Sequence, residues 1–152
     1  SLRLLAAFLR RVEGIASPSI GLLGVNPHAG EIGGDEETRA LRPAIDRLNA
    51  EGLARLSDPL PADAAFRGFD AADPAYDAYV AAYHDQGLIP MKLVAGLQAV
   101  NVTIGLPFLR TSVSHGMAPD IVGRGVASPA SLRAALDCLH RLATSTGSRP
   151  AQ

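Results

Sequence analysis

The stretch Ala82-Tyr83-His84-Asp85-Gln86-Gly87-Leu88-Ile89-Pro90-Met91-Lys92 gathers an imidazole, a carboxylate, an amide and an ammonium just after an apolar run. A second such cluster, Asn26-Pro27-His28-Ala29-Gly30-Glu31, follows the apolar segment Ser19 to Val25. Open α/β sheets collect ligands at the carboxyl ends of their strands, so both histidines read as standing where such sheets build sites. Two neutral imidazoles can share one divalent ion, and a catalytic metal commonly takes three protein ligands and keeps one position open. This chain offers two candidates, His28 and His84. Taken singly, each also fits a strand cap bonded to a backbone carbonyl.

Lys92, Asn101 and Arg110 each lie near the edge of an apolar run and add two fixed positive charges and an amide. Arginine presents a planar fork and lysine a point charge, which suits a phosphorylated or acidic metabolite; the alternative is ordinary solvated cations. The third motif runs from Ser114 to Gly125, His115-Gly116-Met117-Ala118-Pro119-Asp120-Ile121 at its heart. Its small residues let backbone approach a flat ligand, and Asp120 suits a ribose hydroxyl or a turn. It is not a GxGxxG fingerprint.

The elements that must carry these groups follow from periodicity. Leu2 to Glu13 has helical apolar spacing with Gly14 as its stop, and Ser19 to Val25 reads as a buried strand. Asp35 reads as the N-cap of a second helix reaching about Asn49, with Glu36 and Glu37 as first-turn acids. Pro59 to Asp63 and Phe66 to Tyr76 read as turn and connecting chain or a short helix. Asp77 to Tyr83, Ala99 to Ile104 and Phe108 to Val113 read as strands, and Leu88 to Leu97 is ambiguous. Ser128 or Pro129 starts a last helix with Leu132, Leu136, Leu139 and Leu142 inward, and 145–152 reads as a frayed tail. The expectation is one α/β unit over 1–152, a layered and mixed sheet with flanking helices.

Composition narrows the partners. The chain has 152 residues, a net charge of −1 and 47% hydrophobic side chains, with its basic residues scattered. That argues for a packed core and a small-molecule partner, and against nucleic acid or an acidic membrane. Cys138, the single cysteine, reads as an inert core residue. No leader or bilayer-length apolar run is seen, so the expected compartment is the cytoplasm.

Together the motifs resemble the 4-hydroxythreonine-4-phosphate dehydrogenase family of pyridoxal phosphate biosynthesis. The resemblance rests on Asn-Pro-His-Ala-Gly-Glu, the Pro-Leu-Pro-Ala-Asp turn at 59–63, Tyr-His-Asp-Gln-Gly-Leu-Ile-Pro-Met-Lys and Gly-Leu-Pro-Phe-Leu-Arg-Thr-Ser-Val-Ser-His-Gly, in the family's order. It implies oxidation of a secondary alcohol by NAD or NADP, then decarboxylation, assisted by a divalent metal such as zinc, cobalt or magnesium. It implies His28 and His84 as metal ligands and Lys92, Asn101 and Arg110 as substrate-binding residues. The loop carrying His115, Gly116, Ala118, Asp120 and Ile121 is similar to the adenosine-binding loop of isopropylmalate and isocitrate dehydrogenases, implying part of that fold and a nicotinamide cofactor. Asp85 would orient an imidazole or relay the hydroxyl proton.

The substrate so implied is a small phosphorylated hydroxy acid such as 4-phosphohydroxy-L-threonine, with a threonate phosphate or dihydrodiol acid as alternatives. The likeness is to the carboxy-terminal half of the family only; the amino-terminal half supplies a further metal-binding histidine and a His-Thr pair. The chain is therefore expected to be a fragment, a truncated product or one piece of a split enzyme, acting as a homodimer with the site between subunits. Ser114 and Met117 stand where the family commonly has Asp and Thr, and Glu31 to Asp35 departs from its usual glycine-rich continuation. The competing readings are a non-catalytic half-domain, and a metal-assisted hydrolase or aldolase using the same histidines without a dinucleotide.

Overall fold

The computed structural model describes residues 1–68 and 74–147. Where the sequence reads as one unit, the chain divides into two compact ones, Ser1–Pro90 and Met91–Gln152.

In the first unit, helix α1 (Leu2–Arg11) presents Ala6 and Leu9 to the core, and Gly14 beyond its end takes a left-handed turn at φ 75°. Strand β1 (Ser19–Leu23) is buried over its last four residues, as expected of a strand covered on both faces. A π-type turn at Glu37–Leu41 runs into helix α2 (Arg42–Ala50). Asp35 precedes it with an exposed ion pair to Arg39 at 3.5 Å rather than a side-chain cap. Strands β2 (Arg55–Leu60) and β3 (Ala78–Val80) flank β1 in a parallel sheet of order β2-β1-β3. Ala6, Leu9, Ile20, Leu22, Ile45, Ala54 and Leu56 form one core between α1, α2 and this sheet.

The sequence reading assigns no strand here and places a turn at Pro59 to Asp63, which overlaps the end of β2. Pro59 within it is tolerated because β2 edges the described sheet and the register shifts between Ile20 and Leu22; the Leu22 N–H there donates to Ser57 Oγ at 2.9 Å. At the other flank, a Cβ on Gly21 would lie 2.9 Å from the Tyr79 ring and 3.0 Å from that of Tyr76, so the strand needs glycine there. Helix α3 (His84–Ala95), read as ambiguous beyond Leu88, passes through Pro90, and the boundary between the units falls just after that proline.

In the second unit, β4 (Val100–Thr103) and β5 (Arg110–Val113) pair antiparallel. The parallel and antiparallel pairings thus occupy separate sheets rather than one mixed sheet. Helix α4 (Ala130–Gly147) begins with the Ala130 N–H donating to Ser128 Oγ at 3.3 Å. It is helical through 145–147, part of the expected frayed tail, and 148–152 lie outside the described residues. Its inward face also differs from expectation: Ser131, Ala135 and Leu142 are buried, whereas Leu132 and Leu136 are more than half exposed. Small residues let α4 approach closely enough for hydroxyl bonds, Thr111 Oγ1 donating to the Ala135 carbonyl at 2.9 Å and Ser131 Oγ to that of Leu97 at 2.8 Å. Cys138 is half-buried rather than a core residue.

Candidate functional site

Because β1 and β3 are neighbouring parallel strands, their carboxyl ends share one edge of the sheet, and both histidine motifs start there. His28 sits in a tight turn, Pro27–Gly30, and is exposed. Three successive residues of that turn have positive φ, His28 at 52°, Ala29 at 55° and Gly30 at 96°. Left-handed backbone is costly for a residue with a Cβ, so two such residues in a row require support from their surroundings.

Close to the turn lies Glu37, which is only 1% exposed. The Asn26 N–H donates to Glu37 Oε1 at 2.7 Å and Asn26 Nδ2 donates to Oε2 at 2.8 Å. Asn26 Nδ2 also donates to Glu36 Oε2 at 2.6 Å, and Asn26 Oδ1 accepts the Gly34 N–H at 3.2 Å. The Asn26 side chain, then its backbone N–H, hold the Glu37 carboxyl below the usual glutamate value despite its burial. The sequence placed Glu37 among first-turn acids; an acid eleven residues after an Asn-Pro turn was its only signal.

His84 opens α3, four residues past the end of β3, with Asp85 beside it, and both are exposed. Gln86, unassigned from sequence, binds the two motifs together. Its Oε1 accepts the N–H groups of Ala82 and Tyr83 at 3.0 and 3.1 Å, and its Nε2 donates to the Gly24 carbonyl at 2.9 Å. The head of α3 is thereby fastened to the segment that leads from β1 into the His28 turn. Among the described residues no group of three or more His, Cys, Asp and Glu side chains is arranged to hold a metal ion.

The second unit carries the other candidates. Val102 pairs with Thr111 and Thr103 with Arg110, so alternate residues fix the two faces of the hairpin. Asn101, Thr103, Arg110 and Ser112 share the face away from α4, while Thr111 faces the helix. The hairpin thus brings Asn101 and Arg110 onto one face, with both residues exposed. Arg110 Nη1 donates to Thr103 Oγ1 at 2.8 Å, which gives Thr103 a part the sequence did not suggest. Lys92 is exposed on the last turns of α3.

His115, Gly116 and Asp120 are exposed and Ala118 and Ile121 half-buried; His115 Nδ1 lies 2.9 Å from the Gly116 carbonyl. Ala118 is left-handed at φ 46° and leads into a single turn at Pro119–Ile121. Among the described residues no helix is long and apolar enough to cross a membrane.

The family model described as pyridoxal phosphate biosynthetic protein PdxA matches residues 1–139. The chain belongs to the PdxA family. A 4-hydroxythreonine-4-phosphate dehydrogenase of Paracoccus denitrificans is 49% identical over 145 residues, which is 94% of this chain and 44% of that protein. The chain therefore spans less than half the length of the curated PdxA relatives it matches. Among solved structures, the 4-hydroxythreonine-4-phosphate dehydrogenase of Klebsiella pneumoniae superposes with a TM-score of 0.77 at 43% identity, covering 92% of this chain and 42% of that one. A terephthalate 1,2-cis-dihydrodiol dehydrogenase of Burkholderia xenovorans follows at 0.67 and 37% identity, covering 99% of this chain and 45% of that one. These relatives are named dehydrogenases, and the α/β architecture with its parallel sheet and flanking helices agrees with them.

Proposed function

We propose that this chain contributes half of the active site of an NAD- or NADP-dependent dehydrogenase that oxidises and decarboxylates a phosphorylated hydroxy acid such as 4-phosphohydroxy-L-threonine. The observation that carries this reading is the placement of His28 and His84 at the carboxyl ends of adjacent parallel strands, their motifs joined by Gln86 and Gly24. His28 and His84 would hold a divalent metal such as zinc, cobalt or magnesium, which when bound would supply Lewis acidity toward the substrate oxygen. Further ligands would come from outside the described residues, which supports a homodimer or the longer family chain as the working form.

The remaining roles belong to this chain's own side chains. Asp85 stands exposed beside His84, free to orient that ring or to take the hydroxyl proton. Arg110, steadied by Thr103, keeps most of its guanidinium fork for an anionic group, with the Asn101 amide on the same hairpin face. Lys92 adds a point charge. The exposed His115, Gly116 and Asp120, with Ala118 and Ile121, would receive the nicotinamide cofactor's adenosine end. Isothermal titration with zinc, cobalt and magnesium tests the metal reading: uptake weakened by His28→Ala and by His84→Ala is expected, and uptake indifferent to both refutes it.

A second reading has an observation of its own. With no complete metal donor set among the described residues and under half the relatives' length, the chain alone would bind without turning over. NAD reduction by the purified chain would exclude this reading; reduction that appears only once an amino-terminal half is added would favour it.

A further inference from the structure

The buried carboxylate of Glu37 and the amide of Gln86 both reach the Gly24–Gly30 segment from other parts of the first unit. A buried carboxylate is costly unless its oxygens are satisfied, and those of Glu37 are taken by Asn26, backbone and side chain. The same carboxylate lies against both ends of this segment: a Cβ on Gly24 would sit 3.2 Å from Oε1, and one on Gly30 3.1 Å from Oε2. Left-handed His28 and Ala29 are thus bracketed by glycines pressed onto one buried group. Gln86 spends its amide on the same segment, donating to Gly24 while it closes the backbone that delivers His84.

We infer that Glu37 and Gln86 are positioning residues that preset His28 and His84 as a pair, Glu37 by holding the left-handed turn and Gln86 by fastening the head of α3 to it. This rests on the metal reading above. Neither residue is a ligand; each acts through backbone that carries one. A scaffold built this way presents its imidazoles without reorganising when the ion arrives, and outer residues that orient metal-binding histidines are commonly worth about 10–100-fold in affinity.

The test titrates the 152-residue chain with Co²⁺ alone, followed by its visible absorption, for wild type, Glu37→Gln, Gln86→Leu, His28→Ala and His84→Ala. The ¹³Cα and ¹³Cβ shifts of His28 and Ala29 are recorded in the metal-free proteins. Glu37→Gln, with native far-UV circular dichroism, is expected to bind Co²⁺ about 10–100-fold more weakly, with an altered band shape, and to lose the left-handed shift signature. Gln86→Leu is expected to weaken Co²⁺ to a similar degree and to shift the resonances of residues 24–30; if Glu37→Gln does not fold, this variant decides the matter. Wild-type affinity and spectrum in the folded variants, or unchanged metal-free shifts, overturn the inference. If wild type takes up no Co²⁺, or the alanine variants bind as it does, the metal reading falls, and the metal-free shifts alone decide whether these residues position the loops.

Discussion

Replacing Asn26 with alanine removes a side chain that makes three hydrogen bonds, to Glu36, to Glu37 and from Gly34. The bond to exposed Glu36 is readily exchanged for water. The bond to Glu37 Oε2 is not, because that carboxylate is buried and would be left short of a donor while its other oxygen keeps the backbone N–H of residue 26. A hydrogen bond to a charged group contributes about 1.5–3 kcal/mol, so Asn26→Ala is expected to lower stability by about 2–3 kcal/mol near neutral pH. The loss has a pH signature. Glu37's folded value lies below its unfolded value, first through the Asn26 side chain, so the stabilisation is present above the usual glutamate value of about 4.3 and is lost as pH falls through the folded value. The gap between wild type and variant should therefore be full at neutrality and narrow below about pH 4. Urea unfolding followed by far-UV circular dichroism at a series of pH values measures both. A cost under about 0.5 kcal/mol, or one equal at every pH, refutes the reasoning.

Gly21→Ala should cost about 1–3 kcal/mol in the same assay, because the new methyl meets Tyr79 at 2.9 Å while that ring is itself packed against Phe66 and Tyr76 at 4.9 and 5.5 Å. Leu142→Ala, at a fully buried site, should cost about 2–5 kcal/mol, whereas Leu136→Ala on the exposed side of α4 should stay within about 0.5 kcal/mol; equal costs would contradict the assigned inward face. Asp77 is held below its usual value, first by the Ser19 backbone N–H and then by the Ser19 hydroxyl, so it stabilises the fold above the usual aspartate value and ceases to as pH falls through the folded one. Asp77→Asn should accordingly flatten the acid limb of the stability profile; an unchanged slope would contradict this.

What the sequence disclosed, it disclosed through period and position. β1 is a continuous apolar run between prolines, and both histidines follow apolar segments that became neighbouring parallel strands. β2 escaped notice because Arg-Leu-Ser-Asp-Pro-Leu has neither β-branched residues nor clean alternation; the Ser57 hydroxyl and an edge position make it a strand. The inward face of α4 was misjudged by favouring leucines, when Ser131 and Ala135 are buried because they are small enough for close approach. Glu37 and Gln86 illustrate a different gap. Their importance comes from hydrogen bonds to backbone 11 and 62 residues away, and residue type at a surface-like position carries no trace of such a partner. The hairpin register that puts Thr103 beside Arg110 was likewise invisible before the strands were paired.

X-ray absorption on the zinc-loaded chain reports whether His28 and His84 bind one ion. Imidazole scattering from two nitrogens at about 2.0–2.1 Å is expected in wild type, reduced to one in either His28→Ala or His84→Ala. Zinc with no imidazole in its shell, or a shell the same in all three proteins, would contradict it.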